Sequence, residues 1–257
     1  MLDEWELPPH LPRTELRAWD NSYWLSAAVL GAIRFNLGSR EVCAYPRQGC
    51  DPAWFEGMLV REWLPLVYQA WGYQVLHTSA AVHRSSGRVV ALSGEAGAGK
   101  STLGYALGRR PGWAQLADES LVLQVEPGTV RIVPSPNRVR LRASSAAHFE
   151  QSPGDQGPIT WPDGELSLGA VFFLEPRPDG TGENQAAEAT RLDGNEAYLR
   201  LLNQAFALTL KMHAHNRRLM QDYLYIARDV ACYRLVYDRS FAALEEVLDG
   251  IEKRALE

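Results

Sequence analysis

Nine consecutive residues, Gly94-Glu95-Ala96-Gly97-Ala98-Gly99-Lys100-Ser101-Thr102, combine three glycines with a lysine and two hydroxyls. The spacing Gly94-x-x-x-x-Gly99-Lys100-Ser101 is that of a loop that cradles phosphate. Glycine lets the backbone turn tightly and aim successive N–H groups at an anion. A helix opening at Lys100 adds unpaired N–H groups and the positive end of its dipole. In such a loop the lysine reaches the β- and γ-phosphates, and the hydroxyl of Ser101 ligates Mg²⁺. ATP is the expected nucleotide, because no Asn-Lys-x-Asp pattern that would read guanine occurs. The alternative is a glycine-rich turn with no ligand. Against it stand the β-branched run before the loop, the helical pattern after it, and the rarity of lysine: Lys100 is the only one before Lys211.

The next residues able to do chemistry are Asp118 and Glu119, 18 positions beyond Lys100. A carboxylate at a strand end beside the loop takes a proton from a substrate hydroxyl or holds the metal; otherwise Asp118 is a turn or cap acid. Glu119 reads as a Mg²⁺ ligand through water or as an exposed turn acid. His77 either orients and charge-balances the carboxylate or is a hydrogen-bonded structural histidine. Arg138, Arg140 and Arg142 alternate, which puts them on one face of an extended segment. There they neutralise phosphate charge during transfer, or they are solvated edge charges. His213 and His215 have no evident partner and read as surface or capping residues.

The elements that must position these residues follow from local pattern. Val89–Leu92 is an apolar run of a buried strand, and 75–82 with 88–93 flank the turn Arg84-Ser-Ser-Gly87, a hairpin signal. A second hairpin is expected for 121–125 against 130–133, turning at Pro127-Gly128. Hairpins on both sides of the loop strand predict a mixed rather than an all-parallel sheet. Residues 150–165 read as a loop or mobile flap, and 176–184 as another polar loop. Further strands are expected at 168–174 and 232–237. Helices are expected at 197–212 and 217–228, with a break near His215-Asn216, and at 241–254. Before residue 72 the chain is rich in Trp and turns. Residues 19–35 fit a strand pair or one short helix, 42–45 a strand, and a helix starting at Asp51-Pro52 carries Trp54, Phe55, Met58, Leu59, Leu64, Val67 and Tyr68 near 3.6 spacing.

Taken together, His77, the glycine loop and Leu116-Ala-Asp-Glu-Ser120 resemble the catalytic domain of bacterial HPr kinase/phosphorylase. Closer still is the resemblance to the shorter HPr-kinase-related proteins found beside peptide-modification and surface-polysaccharide genes, a fold similar to phosphoenolpyruvate carboxykinase. The resemblance covers roughly residues 75–142 well and the order of later elements loosely. It implies an α/β phosphate-loop nucleotide-binding domain with a mixed central sheet over 73–257; residues 1–72, which match only in kind, read from their own pattern as a small N-terminal α+β portion packed on it. The resemblance implies that 94–102 hold ATP phosphates, that Ser101 helps bind Mg²⁺, and that Asp118 is the catalytic base; the metal role of Asp118 and Glu119 is read from their own chemistry. His77 would sit beside that base; by their own chemistry Lys100 and at least one of Arg138, Arg140 and Arg142, Arg140 foremost, stabilise charge on the transferring group. It also implies an ATP-dependent kinase acting on a Ser/Thr-type hydroxyl of a peptide, protein or small molecule, with self-association by analogy. HPr kinases carry Asp-Asp where this chain has Asp118-Glu119, and their long signature segment has no counterpart, so the resemblance does not extend to the phosphorylase reaction or to HPr as acceptor. An ATPase that drives a partner, or a nucleotide-binding regulatory module, is the other class of function.

Composition sets outer bounds. A chain of 257 residues with 46% hydrophobic content can build one large domain or two small ones. A net charge of −5 exerts no pull toward nucleic acid. No apolar run reaches the roughly 18 residues that span a bilayer; the longest candidate, 25–33, is followed by Arg34. The N-terminal stretch lacks a basic, apolar leader pattern, and three cysteines without C-x-x-C fit reduced thiols rather than zinc. A cytoplasmic protein is the expectation.

Overall fold

The computed structural model describes residues 3–5, 14–19, 22–178, 186–206 and 213–256. The chain divides into two compact units, Met1–Tyr73 with Phe206–Arg218, and Gln74–Ala205 with Leu219–Glu257.

In the first unit five strands form an antiparallel meander in chain order: Asp3–Trp5, Thr14–Trp19, Ser22–Ala27, Gly31–Asn36 and Val42–Pro46. Period two decides the conformation of this region. Leu25 and Ala27, with Ile33 and Phe35, are buried while the residues between them are not, and Leu25 pairs with Ile33 across the strands. A one-residue slip would send that whole set to the other face. Leu16, Leu25, Ile33 and Phe35 share a core with Phe55, Met58, Trp63, Leu66 and Val67. The helix Pro52–Met58 starts as expected: the Asp51 side chain accepts from Ala53 N, and Pro52 occupies the first turn. The 3.6 spacing does not run through, however. A π-turn, Leu59–Trp63, precedes the helix Leu64–Ala70. The extra residue rotates the following side chains, and Trp63, Leu66 and Val67 are buried; Trp54, before the turn, is exposed.

The second unit is built on a nine-stranded mixed sheet. Arg88–Ser93 lies between an antiparallel neighbour, Thr78–His83, and a parallel one, Ser167–Pro176. Ser167–Pro176 is parallel in turn to Ala231–Tyr237, which pairs with Glu188–Arg191 on its far side. Trp113–Ala117 pairs with Thr78–His83. Leu121–Glu126 pairs with Thr129–Ile132, the second expected hairpin. The central strands are apolar on both faces, as strands covered on both sides must be. Val89, Ala91, Val171 and Phe173 join Leu201, Tyr223 and Ile226 in one core. Val90, Leu92, Phe172 and Leu174 join Leu103, Leu107, Val247 and Ile251 in another. Helices Gly194–Asn203 and His213–Asp229, the latter from Leu219 onward, therefore supply one layer. Helices Lys100–Gly108 and Leu244–Ala255 supply the other. Among the described residues no helix is long and apolar enough to cross a membrane.

Three local expectations are corrected. Residues 75–82 are not one strand: Gln74–Leu76 pairs with Leu121–Leu123, and Thr78–His83 pairs with Arg88–Ser93, so the chain changes partner at His77. The stretch 150–165 is not all loop, because Gly154–Pro158 pairs with Arg138–Leu141. The helical break does not fall at 215–216, whose backbone lies inside His213–Asp229; the earlier helix has already ended at Asn203. The side chains of 213–216, and residues 179–185 and 207–212, lie outside the described residues.

Helix Lys100–Gly108 sits unusually close to the sheet. A Cβ on Gly108 would stand 2.4 Å from the main-chain N of Gln115, and one on Gly104 would stand 2.1 Å from Ser79 Oγ. Gly108→Ala is therefore expected to destabilise the second unit by about 1–3 kcal/mol, because backbone cannot move aside as a flexible side chain can. Alanine's better helix propensity offsets about 1 kcal/mol at most. Denaturant unfolding reads the difference, and an unchanged midpoint and slope would refute it.

Candidate active site

The loop strand ends at Ser93, and the glycines take over where other residues would strain or clash. Gly97 and Gly99 have φ of +89° and +98°, in the left-handed region. At Gly94 a Cβ would stand 3.0 Å from the carbonyl oxygen of Leu174, so the backbone can leave the sheet there only as glycine. Gly99 is the N-cap of helix Lys100–Gly108, and no side chain caps that end. Its first N–H groups point out at the mouth of the loop, which favours an anion. Ala98 turns into the core, Glu95 is exposed, and Ala96, Gly97, Lys100, Ser101 and Thr102 border a cleft of about 1060 Å³. Thr102 Oγ1 and Ser145 Oγ hydrogen-bond at 2.7 Å, tying the loop helix to Ala143–His148.

Lys100 Nζ donates to the carbonyls of Gly94 at 2.8 Å and Glu95 at 3.2 Å. Burial lowers its pKa, and Arg142 nearby adds to that; Glu119 and Asp118 oppose it.

Asp118 immediately follows the strand Trp113–Ala117 and is only 3% exposed. Its Oδ2 accepts from the main-chain N of Arg140 at 3.1 Å, and its own N donates to Asn137 Oδ1 at 3.2 Å. Burial, reinforced by Glu119, pushes its pKa up to about 6; Arg140 N–H and the hydroxyls of Ser101 and Ser79 pull the other way. The next residue, Glu119, adopts φ of +73°, a left-handed conformation that costs a non-glycine residue about 1–2 kcal/mol.

His77 stands at the strand break. Its main-chain N donates to the carbonyl of Gln204 at 2.8 Å, and its ring hydrogen-bonds the main chain of Glu119. Burial first, and Lys100 second, lower its pKa, so the ring is neutral at neutral pH. The imidazole thus braces the strained turn after Asp118 and does not offset its charge. Arg140 and Arg142 border the cleft, whereas Arg138 does not. Val139 and Leu141 are buried while Arg138, Arg140 and Arg142 are not, so the three arginines alternate out of the core as expected, although Arg142 already caps the next helix.

Two residues that the sequence reading passed over also meet the loop. Tyr237 OH donates to the carbonyl of Ala98, and Arg239 Nη1 donates to the carbonyl of Gly97 at 3.1 Å. They close the strand Ala231–Tyr237, and a signal for them existed. In open α/β sheets ligands bind beyond the carboxyl ends of parallel strands, so any parallel partner of the loop strand points its end at the site.

The buried Asp118 carries a stability signature. Its folded pKa, near 6, lies above the ordinary value of 3.8, so its contribution is fully present below about pH 4 and is lost as pH rises through 6. At about pH 8, with no nucleotide or metal, Asp118→Asn is expected to be more stable than wild type by up to about 3 kcal/mol. The gain should vanish near pH 4. Thermal melts of both proteins across that range check it; a gain independent of pH would refute the assigned cause.

No protein-family model matches the chain, and no curated protein matches it. Among solved structures, the Hpr(Ser) kinase/phosphatase from Coxiella burnetii is similar at 13% identity, covering 71% of this chain and 92% of that one, with a TM-score of 0.34. Similarity of that size is too low to transfer chemistry.

Proposed function

We propose that the second unit is an ATP-dependent phosphotransferase that moves the γ-phosphate of ATP onto a hydroxyl of a peptide, protein or small molecule. The observation that carries this reading is Asp118: a buried carboxylate with a raised pKa, beside the Ser101 hydroxyl and the Lys100 ammonium, at the edge of an anion-ready loop. A carboxylate poised near neutrality is a proton acceptor.

The donor set suits Mg²⁺. Ser101, Asp118 and Glu119 offer oxygen only, and among the described residues no cluster of three or more His, Cys, Asp or Glu forms a protein-only cage. That is the habit of Mg²⁺, which uses one or two carboxylates and completes its shell with water and phosphate oxygens. When bound, the metal neutralises charge on the phosphates.

The chain's own residues do the rest. The loop N–H groups and Lys100 hold the phosphates. Asp118 takes the proton of the acceptor hydroxyl as the new O–P bond forms and the bond to the bridging oxygen of ADP breaks. Arg140 and Arg142 border the cleft and answer its negative charge. Pro153 and Gly154, where the 154–158 strand begins, border the same cleft, a natural place for acceptor selection.

The test is to incubate γ-labelled ATP and Mg²⁺ with the protein and with peptide, protein and small hydroxylated acceptors. Label moving to an acceptor is the expected result. Free phosphate with no acceptor labelled would replace this reading with an ATPase.

A further inference from the structure

We propose that Arg239 is a catalytic residue, the cation that meets the charge developing on the transferring phosphoryl group. The inference rests on the nucleotide reading above, and it adds a component that residue spacing does not reveal.

Three observations carry it. The first is position. Arg88–Ser93, Ser167–Pro176 and Ala231–Tyr237 are mutually parallel neighbours, so their carboxyl ends open on the same edge. The glycine loop leaves the first of them, and Arg239 stands two residues past the last. The second is what Arg239 holds. Lys100 rests on the carbonyls of Gly94 and Glu95, and Arg239 rests on the carbonyl of Gly97 within the same loop. A carbonyl oxygen is a neutral acceptor, whereas phosphate oxygens are charged and take a guanidinium in a two-pronged grip. A polyphosphate seated in the loop offers Arg239 the better partner a short swing away. The third is anchorage. Tyr237 OH bonds the carbonyl of Ala98, and Arg177 Nη1 pairs with Asp238 Oδ1 at 3.2 Å. The residues on the N-terminal side of Arg239 are thus pinned beside the loop, while its own side chain is exposed at the border of the cleft.

In the transfer step the acceptor oxygen bonds to γ-phosphorus, its proton passes to Asp118, and the bond from phosphorus to the β–γ bridging oxygen breaks, leaving ADP. Charge builds on that bridging oxygen and on the oxygens of the moving group. A pre-placed guanidinium there lowers the barrier more than it strengthens ground-state binding.

The test compares full-length wild type, Arg239→Ala and Arg239→Lys. Three quantities are read: affinity for Mg²⁺–ATP, affinity for Mg²⁺–ADP with aluminium fluoride as a mimic of the moving phosphoryl group, and the rate of label transfer or of phosphate release. For Arg239→Ala, ATP affinity is expected to stay within about threefold, while affinity for the mimic and the rate both fall at least about a hundredfold. Arg239→Lys should recover part of the rate, since it keeps the charge but loses the fork. An undiminished rate in Arg239→Ala overturns the proposal. So does an equal loss of affinity for ATP and for the mimic, which would make Arg239 only a brace for the loop. If wild type hydrolyses ATP without labelling an acceptor, the kinase reading fails, but a hundredfold fall in hydrolysis still supports Arg239. If wild type binds no Mg²⁺–ATP, both readings fall together.

Discussion

Asp118→Asn will bind Mg²⁺–ATP and fail to transfer phosphate, with the rate lower by about 10² to 10⁴, the usual cost of losing a positioned base. The substitution keeps the side-chain shape, and an amide oxygen still accepts from the main-chain N of Arg140. What it removes is the ability to take a proton. Transfer asks the protein chiefly for positioning and electrostatics, so a variant that positions but cannot accept a proton separates the two. The same variant is expected to be more stable than wild type at alkaline pH when empty, because it no longer buries a charge. A more stable, nucleotide-binding, transfer-dead protein is a combination that a merely structural acid would not produce. The measurement is single-turnover label transfer beside calorimetric ATP titration. Undiminished transfer would remove Asp118 from the mechanism.

Lys100→Ala will weaken Mg²⁺–ATP binding by about one to two orders of magnitude, since hydrogen bonds to charged groups are worth about 1.5–3 kcal/mol. Lys100 is already half-desolvated and turned inward onto the loop carbonyls, so little ordering remains to be done when phosphate replaces them. Removing it also takes away a cation that Glu119 and Asp118 feel, and incoming phosphates would meet less compensated negative charge. Adenosine, which lacks phosphates, serves as the control: its affinity should be unchanged. Equal ATP affinity in the two proteins would sink the phosphate-loop assignment.

Much of the second unit was legible because its signals are local. The hairpins at 84–87 and 127–128 need only turn residues between two apolar runs, and both pair as expected. The loop strand, glycine turn and helix are contiguous in the chain. The choice of strands over a helix for 19–35 could be decided only once Leu25 and Ile33 met across a pair. A π-turn at 59–63 has no composition of its own, and it ends on the fully buried Trp63.

What the residues determined by themselves is a glycine loop with phosphate-loop spacing and the acid that follows it. Glycine's freedom at positive φ, lysine's reach and the start of a helix are properties of a nine-residue segment, and no other part of the chain is required to state them. What only the tertiary structure decided is the chemical character of the groups around that loop. Asp118 is buried and its pKa raised because it is packed against residues from later in the chain, with Asn137 and Arg140 bonding it. His77, at the residue where the chain changes strand partner, has its pKa lowered by burial and by Lys100, and its ring bonds the main chain of Glu119. Tyr237 and Arg239 reach the loop from about 140 residues away because parallel pairing aligns three strand ends at one edge. Backbone conformation is set by neighbours in sequence, whereas pKa and charge complementarity are set by neighbours in space.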